Sequence, residues 1–235
     1  MQYSRLVRCT KAMALMAILG SVLDQAHASF IPVGVQENVS VSTVQGSWGW
    51  QVVYSGLYRD NVSIADVFAA VPAGSYVMYA ARPVGALNYT LLAAASESDA
   101  RTYTSLNTTT TANGAQWYYN GWSMGFAGLG DSITQNSADT QDSSLPTGTL
   151  PTGINGNLRL SWHTSANFGN NEVPTVMNGG WRAGRTDQLN ESTEWERAVL
   201  YAPVPEPSTY VAGAMLAVAF SVQGLRSLCR RQQAT

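Results

Sequence analysis

Three prolines in five residues, Pro203-Val-Pro-Glu-Pro207, divide this chain of 235 residues into a part that folds and a part that cannot continue the same fold. Proline fixes φ and removes a backbone donor, so residues 203–209 are expected to form an extended, solvated linker. Beyond them, Tyr210 to Leu225 carries no charge over sixteen residues, and Arg226, Arg230 and Arg231 follow in the final segment, 226–235. That order predicts a single membrane-crossing helix over 210–225 with a basic tail on the cytoplasmic side. The helix would be a weak permanent anchor. Sixteen helical residues reach about 24 Å against a hydrocarbon core of about 30 Å. Ser221 and Gln223 interrupt the run, and extension to Leu228 would require Arg226 to snorkel.

The other end reads as a secretory leader. Arg5, Arg8 and Lys11 precede the apolar stretch Ala12 to Leu23, and Ala26 and Ala28 supply the small residues that flank a cleavage site. Residues 1–28 are therefore expected to be a signal peptide, cut after Ala28.

The succession Val204-Pro-Glu-Pro-Ser-Thr209, apolar run, arginine cluster and chain end resembles the PEP-CTERM sorting signal of Gram-negative bacteria. The resemblance implies that an exosortase in the membrane recognises Pro205, Glu206 and Pro207. It would then remove the hydrophobic tail and release or transfer the protein to the cell surface or its polysaccharide matrix. Arg226, Arg230 and Arg231 match the basic membrane stop of that signal. An ordinary single-pass anchor behind a proline-rich stalk is the other reading of these residues. Segments 159–164, 179–184 and 192–202 are similar to an uncharacterised subgroup of PEP-CTERM proteins, a likeness that implies no activity.

With both ends set apart, the composition of the remainder becomes informative. Cys9 and Cys229 lie outside 29–202, so an exported domain would hold no disulfide and no thiolate chemistry. Between Ser29 and Ser208, seven arginines and no lysine stand against fourteen acids, a net charge of −7. No basic stripe remains to neutralise phosphates, which argues against nucleic-acid binding.

Residues 29–202 contain all seven tryptophans and are long enough for one domain with its own core. From Phe30 to Tyr58 apolar and polar residues alternate between glycine breaks, a pattern of strands and hairpins. Ser63-Ile-Ala-Asp66 before Val67 and Phe68 predicts one short capped helix, closed by Pro72-Ala-Gly74. Strands are expected again at 75–81 and 87–95, with a turn at Arg82-Pro83. Asn120-Gly121, between aromatic residues, predicts a type I′ hairpin. Segment 128–157 reads as a long surface loop or a partly disordered excursion. Strands then return at Leu158 to Trp162, after Asn178-Gly-Gly180 and at Trp195 to Tyr201, the last preceded by a turn at 190–194. The fold class expected is mainly β: one β-sandwich-like, jelly-roll-type domain with a single short helix, between an N-terminal signal helix and a C-terminal transmembrane helix.

Candidate chemistry in the domain is sparse. His163 is its one histidine, so a histidine-rich metal site is excluded and any triad would depend on this ring. It reads more simply as a strand residue beside Trp162. Glu191, Glu194 and Glu196 offer carboxylates of the kind glycoside hydrolysis needs, yet their interleaving with Arg197 suggests a solvated turn and strand edge. Asp131, Asn136, Asp139 and Asp142 resemble a loose calcium loop without EF-hand spacing, and read better as solvent-facing acids. Trp117, Tyr119 and Trp122 concentrate flat amphipathic surface near one hairpin, where one face fills the core and the other is offered to sugar rings; they read more simply as core residues that stand in for missing disulfides and bulky aliphatics. These residues point to an exported surface or extracellular-matrix protein, structural or glycan-binding, with no catalytic residues, metal or cofactor. Its expected partners are an exosortase, the membrane and exopolysaccharide, and not nucleic acid. The competing expectation is a secreted hydrolase or glycan-acting enzyme.

Overall fold

Two long strands, β4 (Tyr76–Pro83) and β5 (Asn88–Ser96), are apolar at nearly every position, which an antiparallel strand tolerates only when both its faces are covered. Both faces are covered here. A computed structural model describes residues 29–131, 158–164 and 173–203, and the structural statements below concern these. The readings placed on Ala26 and Ala28, on Pro205, Glu206 and Pro207, on the run 210–225 and on Arg226, Arg230 and Arg231 lie outside them.

The remaining strands are β1 (Gln36–Ser40), β2 (Gln51–Leu57), β3 (Asn61–Ser63), β6 (Thr110–Ala112), β7 (Ala115–Tyr119), β8 (Ser123–Gly128), β9 (Leu160–His163), β10 (Val176–Asn178), β11 (Gly180–Ala183) and β12 (Trp195–Ala202). They form a five-stranded sheet in the order β1-β5-β4-β12-β2 and a second in the order β11-β9-β8-β7-β6. A two-stranded ribbon, β10-β3, completes the set. The pairings between named strands are antiparallel. The protein is mainly β, with two five-stranded sheets sharing one core and few, short helices.

Alternation sorts the side chains. Val77, Tyr79, Ala81, Leu91, Ala93 and Val199 from the first sheet pack with Trp117, Tyr119, Met124, Phe126, Leu160 and Trp162 from the second. Tyr79 lies between two indoles, its ring centre 5.4 Å from Trp117 and 5.0 Å from Trp162. Each such aromatic pair adds roughly 0.5–1.5 kcal/mol beyond its buried area. The opposite face of the first sheet, Met78, Ala80, Leu92, Ala94 and Leu200, is covered by the N-terminal segment through Ile31, Val44, Trp48 and Trp50. A π-helical turn, Thr43–Ser47, carries Val44 onto this face, where the sequence pattern suggested only strands and hairpins.

Helix α1 (Ile64–Ala69) forms where the Ser-x-x-Asp spacing predicts it, with the Ser63 side chain accepting from the Asp66 amide. The same spacing recurs unread at Ser96-Glu-Ser-Asp99, where Ser96 caps a second helix, α2 (Glu97–Ala100), in the same way. The β4–β5 turn falls just beyond Arg82-Pro83: Ala86 donates to the Pro83 carbonyl, and Gly85 supplies a positive φ of 77°. Two Asn-Gly pairs are present, and the type I′ geometry belongs to the other one. Asn113 and Gly114 have φ of 45° and 77° and join β6 to β7. Asn120-Gly121 does join β7 to β8, but without positive φ. There Asn120 is buried, and its side-chain oxygen accepts from the amides of Trp122 and Ser123. An Asx-type cap thus replaces the left-handed turn.

Candidate functional site

Trp117 and Tyr119 are core residues. Both are buried between the sheets, where Trp117 donates to the Ala112 carbonyl and Tyr119 to that of Pro174. Tyr118, on the opposite face of β7, is buried as well, and its hydroxyl donates to the Leu160 carbonyl. The ring lies over the cross-strand Gly125, where a Cβ would collide with the phenol and with the Leu160 carbonyl. Neither face of β7 is open to sugar rings, as the simpler core reading of Trp117 and Tyr119 has it. Of the three aromatics, Trp122 alone is half-buried, and its carbonyl accepts from the Thr164 amide.

His163 ends β9 opposite Ser123, and its ring stacks on Trp181 at 5.9 Å with 18° between the planes. That placement agrees with a strand residue beside Trp162. The three glutamates separate. Glu191 and Glu194 are exposed in the turn before β12, whereas Glu196 pairs with Arg82, whose guanidinium also lies 5.2 Å from the centre of the Tyr89 ring. The carboxylate of Glu196 is thus brought to a cation and not to a second acid. Asp131 meets positive charge too: burial raises its pKa, and Arg159 and Arg182 oppose that rise. Two guanidiniums beside the first residue of the acidic loop disfavour a divalent cation there. Asn136, Asp139 and Asp142 lie outside the described residues. Among the described residues no group of three or more His, Cys, Asp or Glu side chains is placed to hold a metal ion.

The residues that sequence reasoning missed are arginines. Arg159, Arg182 and Arg197 are fully buried, although Arg197 had read as part of a solvated edge. Arg197 projects from β12 toward the ribbon, donating to the carbonyls of Gly179 and Asp60 and, at 3.5 Å, to that of Met177. The guanidinium lies 5.7 Å from the Trp162 ring centre and 5.9 Å from that of Tyr54. Burial lowers its pKa, and the neighbouring Tyr54, Tyr58 and Asp60 oppose the shift. A planar fork with five donors suits three carbonyls converging from β10 and from the residues that flank β3 and β10, and an ammonium would not. Arg197 therefore ties the β3–β10 ribbon to the interior strand β12. A second polar group lies beside α2, where Arg101 pairs with Glu97 and covers the Phe68 ring at 4.5 Å. Desolvation pulls the Arg101 pKa down, but Glu97 and Tyr119 outweigh it and the net shift is upward.

No family model, no curated protein and no solved structure matches this chain. Among the described residues no helix is long and apolar enough to cross a membrane.

Proposed function

We propose that the chain is an exported protein, anchored transiently in the inner membrane and sorted to the cell surface or extracellular matrix by an exosortase acting on Pro205-Glu206-Pro207. Its β domain serves there as a non-enzymatic structural or glycan-binding component. One observation carries this reading: the order of proline tripeptide, marginal apolar run 210–225 and arginines 226, 230 and 231 at one end of a chain that opens with a cleavable leader. The domain's character supports a structural role, since Trp117 and Trp162 fill the core between the sheets and Arg197 joins the ribbon to β12. A glycan contact would fall to Trp122 and the half-buried indoles, with Trp117 and Tyr119 inside the core. As to architecture, the domain is a two-layer sandwich in which β6 to β9 run as a meander within one sheet. That argues against the jelly-roll wrapping expected from sequence.

Replacing Pro205, Glu206 and Pro207 by alanine tests the reading through the intact mass of protein recovered from the native envelope and matrix. Removal of the leader should persist and the hydrophobic tail should be retained. An unchanged mature mass defeats the sorting proposal.

A further inference from the structure

Phe30 is an exposed ring on a backbone tied down at both its polar groups. The side chain is 53% exposed, while the amide donates to the Trp48 carbonyl at 3.1 Å and the carbonyl accepts from the Trp50 indole at 2.9 Å. Its ring centre stands 5.0 Å from that of Trp48, with the planes tilted by 47°. Gly49, with a φ of 74°, breaks the strand alternation, so that Trp50 is buried on the first sheet while Trp48 stays half-buried. Hydrogen-bonding side chains border the pair. Ser29 Oγ lies 3.4 Å from where a Cβ on Gly49 would stand, Ser47 is exposed, and Gln51 accepts from the Tyr201 hydroxyl at 2.7 Å. Glu37 is the one charged residue from Ser29 to Tyr58. Tyr76, which packs on the same cluster as Trp48, pairs with Ser96, the cap of α2, and so brings Glu97, Asp99 and Arg101 to that side.

We infer that Phe30 and Trp48 form a stacking platform for a neutral polysaccharide. The inference rests on the proposed glycan-binding role and gives it residues and a ligand class. A pyranose ring has an apolar C–H face and a hydroxyl periphery, which matches a flat aromatic surface bordered by serine and glutamine side chains. Because the Phe30 backbone is already fixed, little freedom is lost when a sugar settles on the ring. Charge selects among glycans. The stretch from Ser29 to Ser208 carries a net charge of −7, and Arg101, the cation that α2 brings to the Tyr76 side, is paired with Glu97. A chain of uronates or sulfates would therefore be repelled, whereas the hydroxyls of a neutral chain are tolerated beside carboxylates. Two of the other half-buried indoles are less open to a sugar: His163 stacks on Trp181, and Tyr58 meets Trp195 edge-on at 6.4 Å.

The test is affinity electrophoresis of the full chain, held in a polyoxyethylene detergent that carries no sugar, through gels cast with hydroxyethylcellulose, dextran or alginate. At least one of the two neutral polymers should retard the protein, and alginate should not. Phe30→Ser and Phe30→Leu, which remove the flat ring and keep both backbone bonds, should weaken that retention about fivefold, whereas Phe30→Tyr and the distant Tyr103→Ser should stay within about twofold of the parent. Retention by a neutral polymer that both ring-removing variants leave unchanged overturns the platform and leaves glycan binding standing. Stronger retention by alginate than by either neutral polymer overturns the ligand class. A parent chain that none of the three polymers retards defeats the glycan-binding role itself, and the platform with it.

Discussion

Replacing Arg197 by leucine should be among the most damaging single changes in the domain. The side chain is fully buried and donates to carbonyls of Asp60, Met177 and Gly179, while its guanidinium lies near the rings of Tyr54 and Trp162. Leucine removes the donors and cannot return water to the site. Leaving a buried polar group without a partner costs about 1–3 kcal/mol, and more where a charged donor is lost. Recovery of the guanidinium's desolvation offsets part of this, as the lowered pKa of Arg197 indicates. The net loss is about 3–5 kcal/mol, a large fraction of the ~5–15 kcal/mol that holds a domain together. Arg197→Lys keeps the charge and loses the fork, and should cost about 1–3 kcal/mol. Urea unfolding followed by tryptophan fluorescence measures both, provided the slope of free energy against urea stays constant. A loss below about 1 kcal/mol for Arg197→Leu, under the usual cost of an orphaned buried group, would refute the view that this side chain joins the ribbon to β12.

Two further outcomes are expected. Asn113→Ala removes side-chain bonds to the carbonyls of Pro32 and Ala94, at 2.7 and 2.8 Å, and places alanine at a φ of 45°. It should destabilise the domain by about 2–4 kcal/mol in the same unfolding assay, and a loss under about 0.5 kcal/mol would show that the N-terminal segment is held without it. Burial raises the hydroxyl pKa of Tyr58 and Tyr79 far above the unfolded value near 10. The unfolded chain therefore releases these protons first as pH rises, so this contribution is intact below about pH 10 and is lost above it. Together the two tyrosines should lower stability by about 2.7 kcal/mol per pH unit from roughly pH 10 upward. A flat stability curve between about pH 10 and 11.5 would contradict their burial.

The strands and the first helix were legible because their signals are local. Period-two alternation and the Ser63–Asp66 spacing depend on neighbouring residues, and the structure realises both in α1, β2, β7 and β9. Helix α2 was missed although Ser96 and Asp99 carry the same cap, since only four residues follow the cap and they are mostly polar. The assignment of the type I′ turn to Asn120-Gly121 failed for a tertiary reason: the Asn120 side chain is buried and satisfies two amides, which only the packed turn reveals. The arginines were opaque for a deeper one. A charged residue beside glutamates reads as solvated, and nothing near Arg197 in the sequence announces that Asp60, Met177 and Gly179 will converge on it. For the aromatic cluster the sequence left two readings, core and ligand face, and only packing separates them: both faces of β7 are covered.

The last strand to be synthesised among the described residues is also an interior strand of its sheet: β12 lies between β4 and β2 and pairs with both along most of its length. Whether the polypeptide emerges from a ribosome or a translocation channel, its earlier strands must wait with two unzipped margins until residue 202 is free. Closure is then a single late event that seats Arg197 and seals both layers together. A chain stalled a few residues short would hold most of its sequence and little of its cohesion, prey to proteases and to pairing with its own kind.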